Sequence, residues 1–128
     1  MATNWPLYTQ RFSAGAGALG QALKTYAGKQ ALSAVGVTSI PLETVTAGKT
    51  FFITDIYISH DSALVLDAQI TAAGTRIFGG PCKGDTAPIQ MPGMETQPSA
   101  SSGQAVALVL PIAAGPPNVY FYIAGYEQ

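Results

Sequence analysis

Apolar and polar residues alternate in short runs along most of the 128-residue chain, and glycine, proline and small polar residues separate the runs. Thr50 to Ser59 is dense in β-branched and aromatic residues, the composition of a strand. At a period of two, Phe52, Thr54, Ile56 and Ile58 share one face and Phe51, Ile53, Asp55 and Tyr57 the other. Leu64 to Ala72 repeats the alternation, with Leu64, Leu66, Ala68 and Ile70 opposing Val65, Asp67, Gln69 and Thr71, as a half-buried strand requires. Thr75 to Phe78 predicts a short strand ending at Gly79-Gly80-Pro81, and Ile89 to Met91 a brief one within a loop-rich stretch over 79–103. Gln104 to Leu110 predicts a strand stopped by Pro111, with Val106, Leu108 and Leu110 inward. The last run, Asn118 to Tyr126, sets Val119, Phe121 and Ile123 against Tyr120, Tyr122, Ala124 and Tyr126.

Short strands divided by Gly/Pro turns predict an all-β sandwich or barrel over residues 31–128. The absence of strand–helix–strand alternation argues against a parallel nucleotide-binding sheet. Residues 1–30 read differently. Trp5, Leu7, Tyr8 and Phe12 are apolar without a period, and Ser13 to Gly20 is a run of small residues. Gln21 to Gln30 has room for a short helix limited by Gly28. This segment is read as an extended N-terminal arm that orders on contact. The alternative is a first strand and loop packed on the same domain.

Charge changes the picture most. Charged residues make up only 10% of the chain, against about 25% in an ordinary domain. A solitary soluble domain carries more charge than this to stay dispersed, whereas a weakly charged surface suits burial against other chains. The expectation is an oligomer or an assembled particle. Net charge is −1, too little to recruit nucleic acid through a global field. Arg11, Lys24 and Lys29 precede the first acid, Glu43, and every other charged residue follows it. This asymmetry marks a tail and a body with different partners, or simply a sparsely charged start. Cys82 is the single cysteine, so no intrachain disulfide forms, and it reads as a small structural residue. Met1 to Pro6 lacks the basic and apolar regions of a secretory signal. No apolar run reaches the about 18 residues of a membrane helix. The expectation is a protein made in a cytoplasm and kept there until assembly.

Few motifs carry chemistry. Gly15-Ala16-Gly17-Ala18-Leu19-Gly20 spells a dinucleotide fingerprint but lacks the preceding buried strand, and an all-β pattern follows it. Ala47-Gly48-Lys49-Thr50 echoes the end of a phosphate-binding loop. The position of that motif's first glycine is Glu43, and a strand follows where a helix is needed, so a hairpin turn is the plainer reading. Ser59-His60-Asp61-Ser62 contains hydrolase residue types, but neighbours in a strand-end turn do not converge as a triad. His60 is the only histidine, which excludes a multi-histidine metal site, and it reads as a solvent-facing turn residue. Asp55, Asp61 and Asp67, with Asp85 and Glu95, do not follow an EF-hand spacing. The six basic residues are dispersed. The expectation is therefore no catalytic, metal or cofactor site.

The tyrosines weigh more. Tyr120, Tyr122 and Tyr126 oppose the apolar face of the last strand, and Tyr57 is placed to join them. Tyrosine couples large contact area to a polar tip and is enriched at interfaces, although cross-strand aromatic pairs also occur on ordinary sheet faces. The run Val45 to Ser59, the loop Ile89-Gln90-Met91-Pro92-Gly93-Met94 and the ending Tyr120-Phe121-Tyr122-Ile123-Ala124-Gly125-Tyr126 resemble small phage virion proteins with a jelly-roll or related sandwich. Tailed-phage capsid decoration, or cement, proteins are the type most similar. The resemblance covers about residues 38–128 and includes no diagnostic active-site motif. It implies a jelly-roll-like antiparallel β-sandwich and a non-enzymatic structural role in the virion, without cofactor or membrane. The implied partners are further copies of the chain, a trimer being favoured over a dimer, and the major capsid protein at capsomer junctions. Trp5, Tyr8, Arg11 and Phe12 become anchors of the arm; Tyr57, Tyr120, Tyr122 and Tyr126 become interface residues of the body. The rival readings are a tail, baseplate or receptor-binding module, including a carbohydrate-binding sandwich. A cupin-type enzyme needs more histidines than one.

Overall fold

The structure is a computed structural model, and it describes residues 23–83, 88–91, 93 and 97–128. Nine strands follow one another: β1 (Lys24–Ala31), β2 (Thr38–Thr44), β3 (Phe51–His60), β4 (Leu66–Ala72), β5 (Thr75–Cys82), β6 (Ile89–Met91), β7 (Ser99–Ala100), β8 (Ala105–Leu110) and β9 (Asn118–Glu127). One sheet runs β1-β9-β3-β6, with β7 also paired to β3, and the other runs β2-β8-β4-β5. All pairings are antiparallel. With β6 and β7 taken as two pieces of one edge strand, this is the strand order of a jelly roll. The inner rows of both sheets meet in one core, which includes Phe51, Ile53, Ile58, Ile70, Leu108, Leu110 and Ile123.

Most of the predicted strands are present, and β8 buries Val106, Leu108 and Leu110 as its alternation required. Five local expectations are corrected. Residues 24–31 form a strand of the sandwich, the alternative to the arm, where the sequence also left room for a short helix. Its partner β9 runs the whole length of β1, from Lys24 opposite Gly125 to Ala31 opposite Asn118. Tyr26 turns inward onto the Phe51 ring, edge to face at 6.4 Å. The sandwich thus takes in residues 24–30 of the segment read as an arm, while residues 1–22, with Trp5, Tyr8, Arg11 and Phe12, lie outside the described residues. Secondly, β5 continues through Gly79, Gly80 and Pro81 to Cys82, because an edge strand tolerates a proline whose missing N–H faces away from the sheet. Thirdly, Leu64 is 65% exposed, because β4 starts only at Leu66. Fourthly, the Thr46–Lys49 turn is not a hairpin: β2 pairs with β8 and β3 with β9, so the chain crosses here from one sheet to the other.

The fifth correction concerns β3. Its register against β9 shifts between Ile53 and Asp55, so Thr54 is the extra residue of a β-bulge. Phe51 and Ile53 point into the core before the bulge, and Ile56, Ile58 and His60 do so after it. Strict alternation had put Phe51 and Ile53 on the opposite face from Ile56 and Ile58. Thr54 is buried, and its hydroxyl lies 2.8 Å from Asp55 Oδ2 and 3.2 Å from the Ala124 carbonyl oxygen. Opposite, Gly125 passes so close that an added Cβ would sit 2.4 Å from the Phe52 carbonyl oxygen and 2.7 Å from the Phe51 ring.

One polar cluster ties the two sheets together at the β1–β2 side. Lys24 of β1 reaches Glu43 of β2 at 2.8 Å and Glu127 of β9 at 3.2 Å. Tyr26 donates its hydroxyl to Glu43 at 2.6 Å. Glu127 also accepts from the Thr46 amide at 2.8 Å and the Thr46 hydroxyl at 2.7 Å. Burial by itself pushes the Glu127 carboxyl up, but the Thr46 donors, the Glu43 contact and the Lys24 ammonium outweigh it and hold the group at about 2. The hydrogen bond to Glu43 holds Lys24 above its ordinary value against some desolvation. Burial first, and then the bond to Glu43, pushes the Tyr26 hydroxyl up.

A carboxylate held below its unfolded value contributes stability that is present above that value and lost as pH falls through the folded one. Unfolding by urea should therefore show stability declining from the ordinary glutamate value of 4.5 down towards about 2, and Glu127→Gln should flatten that decline. The raised Lys24 and Tyr26 act in the opposite direction: the chain should lose stability above about pH 10, where an unfolded tyrosine or lysine deprotonates. Gly125→Ala should cost about 2 kcal/mol, because the methyl meets backbone and a packed ring with no free space. A fall in the urea midpoint with an unchanged slope is the readout.

Candidate functional site

The bulge that buries Phe51 and Ile53 also turns Phe52, Asp55 and Tyr57 to the outside of the first sheet. There they meet the outward residues of β9. Tyr57 stands directly opposite Tyr122, Ser59 opposite Tyr120, and Phe52 opposite Tyr126. The rows extend sideways to β1, where Ala27 is beside Tyr122 and Lys29 beside Tyr120, and to β6, where Gln90 is beside Tyr57. Directly opposed residues in an antiparallel pair lie about 4.5–5.5 Å apart, so the tyrosines form one continuous patch. Tyr57 and Tyr120 are each 37% exposed and Tyr122 is 42% exposed. These three are the aromatic residues among the exposed large hydrophobics of the described residues.

Its two ends differ. At the Asp55 end Gly93, Gln97 and Pro98 are fastened to the sheet. Asp55 accepts the Gly93 amide at 2.7 Å, Ile53 donates its amide to the Pro98 carbonyl at 2.9 Å, and Tyr126 donates its hydroxyl to Gln97 at 3.2 Å. Tyr126 stacks on Phe52 at 5.4 Å and is only 8% exposed. It shares the face with the other tyrosines, but its contacts are with its own chain. At the far end, Asp61 accepts the Asn118 amide at 2.7 Å and lies 3.3 Å from the Tyr120 hydroxyl. The Asn118 N–H above all holds the Asp61 carboxyl below its usual range, so a fixed negative charge sits beside the tyrosines. Lys29 Nζ lies 5.8 Å from the Tyr120 ring centre, within cation–π range. An open hollow of about 490 Å³ lies here, lined by Ser59, His60, Asp61, Ser62, Ala63 and Tyr120.

His60 corrects an expectation. It is 1% exposed and points into the core, where a solvent-facing turn residue was expected. The cause is that β3 runs on through His60, which keeps the inward phase of Ile56 and Ile58 instead of entering a turn. The ring's Nδ1 accepts the Ser62 amide at 3.1 Å, so Nε2 carries the proton and donates to the Cys82 carbonyl at 2.6 Å. With both nitrogens committed to backbone groups, the ring is not aimed as a base at Ser59 or Ser62. Cys82 is buried, its thiol lies 3.3 Å from the Ile58 carbonyl, and burial pushes that thiol's pKa up. It fits its structural reading.

The described aspartates have protein partners. Asp67 accepts from Gln69 at 2.8 Å and lies 3.8 Å from Arg76. Asp55 and Asp61 cap backbone amides as described. Asp85 and Glu95 lie outside the described residues. Among the described residues no three His, Cys, Asp or Glu side chains gather as a metal site. Sequence reasoning missed Phe52, Lys29 and Asp61 as parts of the tyrosine patch. Only Lys29 left a trace, as a charge two residues from each of two alanines in an alternating run.

His60→Ala should destabilise the fold by about 2–3 kcal/mol, since it leaves the Cys82 carbonyl and the Ser62 amide unpaired beside a cavity. Chemical denaturation measures this, and a neutral substitution would contradict the buried placement.

No family model matches the sequence, and no curated protein or solved structure matches the chain.

Proposed function

We propose that the chain is a non-enzymatic structural protein of a tailed-phage virion, a decoration protein that binds across capsomer junctions and holds the head shell together. The observation that carries this reading is the tyrosine patch: Tyr57, Tyr120 and Tyr122 stand exposed on a rigid sheet, on a chain with only 10% charged residues. Surfaces that stay in water avoid this combination, while interfaces concentrate it. Apolar area removed from water stabilises by roughly 25 cal/mol per Å² before the costs of association. Rigid aromatics lose little side-chain freedom on contact, which makes them efficient anchors. The work is mechanical. Each subunit adds contact area between capsomers, several linked copies add avidity, and the shell resists internal pressure. No cofactor takes part, the protein is made in the host cytoplasm, and it ends in the virion.

A second reading, a tail or baseplate module that binds receptor carbohydrate, is favoured by the hollow beside Tyr120, where Ser59, Ser62 and the Asp61 carboxylate face an aromatic ring. That mixture of acceptors and ring suits a saccharide.

Gold-labelled antibody in electron micrographs separates the two: label on the head shell is expected, and label confined to the tail overturns the decoration role. Tyr57→Ala with Tyr122→Ala should leave the melting temperature within a few degrees. It should also weaken retention on heads by about 2 kcal/mol per ring, the scale of an interface hot spot. Unchanged retention would mean another surface makes the contact. A glycan array that scores hits abolished by Tyr120→Ala would favour the second reading.

A further inference from the structure

Sheet edges expose backbone groups that pair with any strand offered to them, and proteins blunt them with prolines, bulges, short strands and free charges. Three of the four edges here are blunted. β2 carries Pro41 and a register shift next to it. β5 carries Gly79, Gly80 and Pro81. The opposite edge of the first sheet is broken into β6, with three residues, and β7, with two. β1 differs. It is eight residues long, has no proline, and pairs with β9 without any shift. Among the described residues no strand lies on its other side. Its two lysines do not guard it either. Lys24 is drawn onto Glu43 and Glu127, and Lys29 lies over the Tyr120 ring.

The direction of the open backbone groups follows from the end of the strand. Leu32, one residue past β1, donates its amide to the Pro117 carbonyl at 2.8 Å. The N–H and C=O groups of Thr25, Ala27 and Lys29 therefore point away from β9, because they alternate along a strand.

We infer that β1 is the site at which a second copy of this chain adds, antiparallel, to make a two-fold dimer with one continuous sheet. An antiparallel pair of identical strands is self-complementary about a two-fold axis and needs no second surface. In the register centred on Ala27, the two Ala27 residues exchange hydrogen bonds, and Thr25 exchanges them with the partner's Lys29. Lys24 then stands opposite the partner's Gln30 and Tyr26 opposite the partner's Gly28. No lysine faces a lysine, and each tyrosine meets a strand position without a side chain, a pairing known to support glycine in sheets. The tyrosine patches of the two copies lie on the same side of the joined sheet. The dimer rests on the edge alone, so it stands or falls independently of the virion reading. A threefold assembly, which the resemblance favours, places no strand against itself and is the competing outcome.

Light scattering on the eluting 128-residue chain should give twice the 13.2 kDa of one copy. Ala27→Pro removes an outward N–H and leaves the bonds to β9 intact; Thr25→Lys sets like charges opposite each other. Both should elute at the mass of one chain with the circular dichroism of the parent. Ala27→Cys should form a disulfide-linked dimer under mild oxidation, since hydrogen-bonded partners have Cα atoms about 5.5 Å apart, within disulfide reach. Native Cys82 is buried and does not compete. A parent at one or three chain masses overturns the inference. So does a dimer that survives both edge substitutions, or an Ala27→Cys chain that stays uncrosslinked, as it would if residues 1–22 occupied the edge instead.

Discussion

The extra residue in β3 is the constraint on which the rest of the arrangement hangs. Without Thr54 out of phase, a strand that begins with two phenylalanines could bury only half of its large apolar residues. With it, Phe51 and Ile53 face the core from one side of the bulge and Ile56 and Ile58 from the other. The same half-step sends Phe52 and Tyr57 outward to meet Tyr126 and Tyr122. The distortion is supported locally by the Thr54 hydroxyl on the Ala124 carbonyl and by the bare backbone of Gly125. A bulge of this kind re-aims side chains on both faces of a sheet at once, and here one face becomes core and the other becomes the tyrosine patch.

The strands themselves were legible because each carries its period in its own residues. The β8 and β9 alternations are local facts, and the structure keeps them. What was hidden depends on partners distant in the chain. Phe51, Phe52, Ile53, Ile56 and Ile58 are apolar at both phases, so no period within that run reveals where the slip falls. Lys24 to Ala31 has the helix-tolerant residues Lys, Ala and Gln, and becomes a strand because the edge of β9 offers it hydrogen bonds across most of the chain. His60 looked exposed because it sits among Ser, Asp and Ser. Its burial depends on the Cys82 carbonyl, which lies 22 residues further on. The Lys24–Glu127 contact spans 103 residues, and no motif announces it. The four body tyrosines were placed on one face correctly, but the fastening of Tyr126 by Gln97 came from a segment without any strand pattern.

The two faces of the first sheet carry different kinds of work. Its inner side holds the fold, through apolar packing and the Glu127 cluster. Its outer side carries the exposed rings of Tyr57, Tyr120 and Tyr122. Among the described residues several charges make ties within the chain: Lys24 to Glu43 and Glu127, Asp55 to Gly93, Asp61 to Asn118, and Asp67 to Arg76 at the surface.

The place of β9 has a consequence for synthesis. It lies between β1 and β3, yet it is translated after both. Until residues 118–127 have been made, β1 has no neighbour among the described strands of its sheet and β3 lacks its longest one. The nascent chain therefore carries adhesive, unpaired segments through most of its production, and ordering of that layer is a late, long-range event of the slow kind. Overexpression faster than chaperones can shield those segments would be expected to send material into inclusion bodies, whatever the stability of the finished fold.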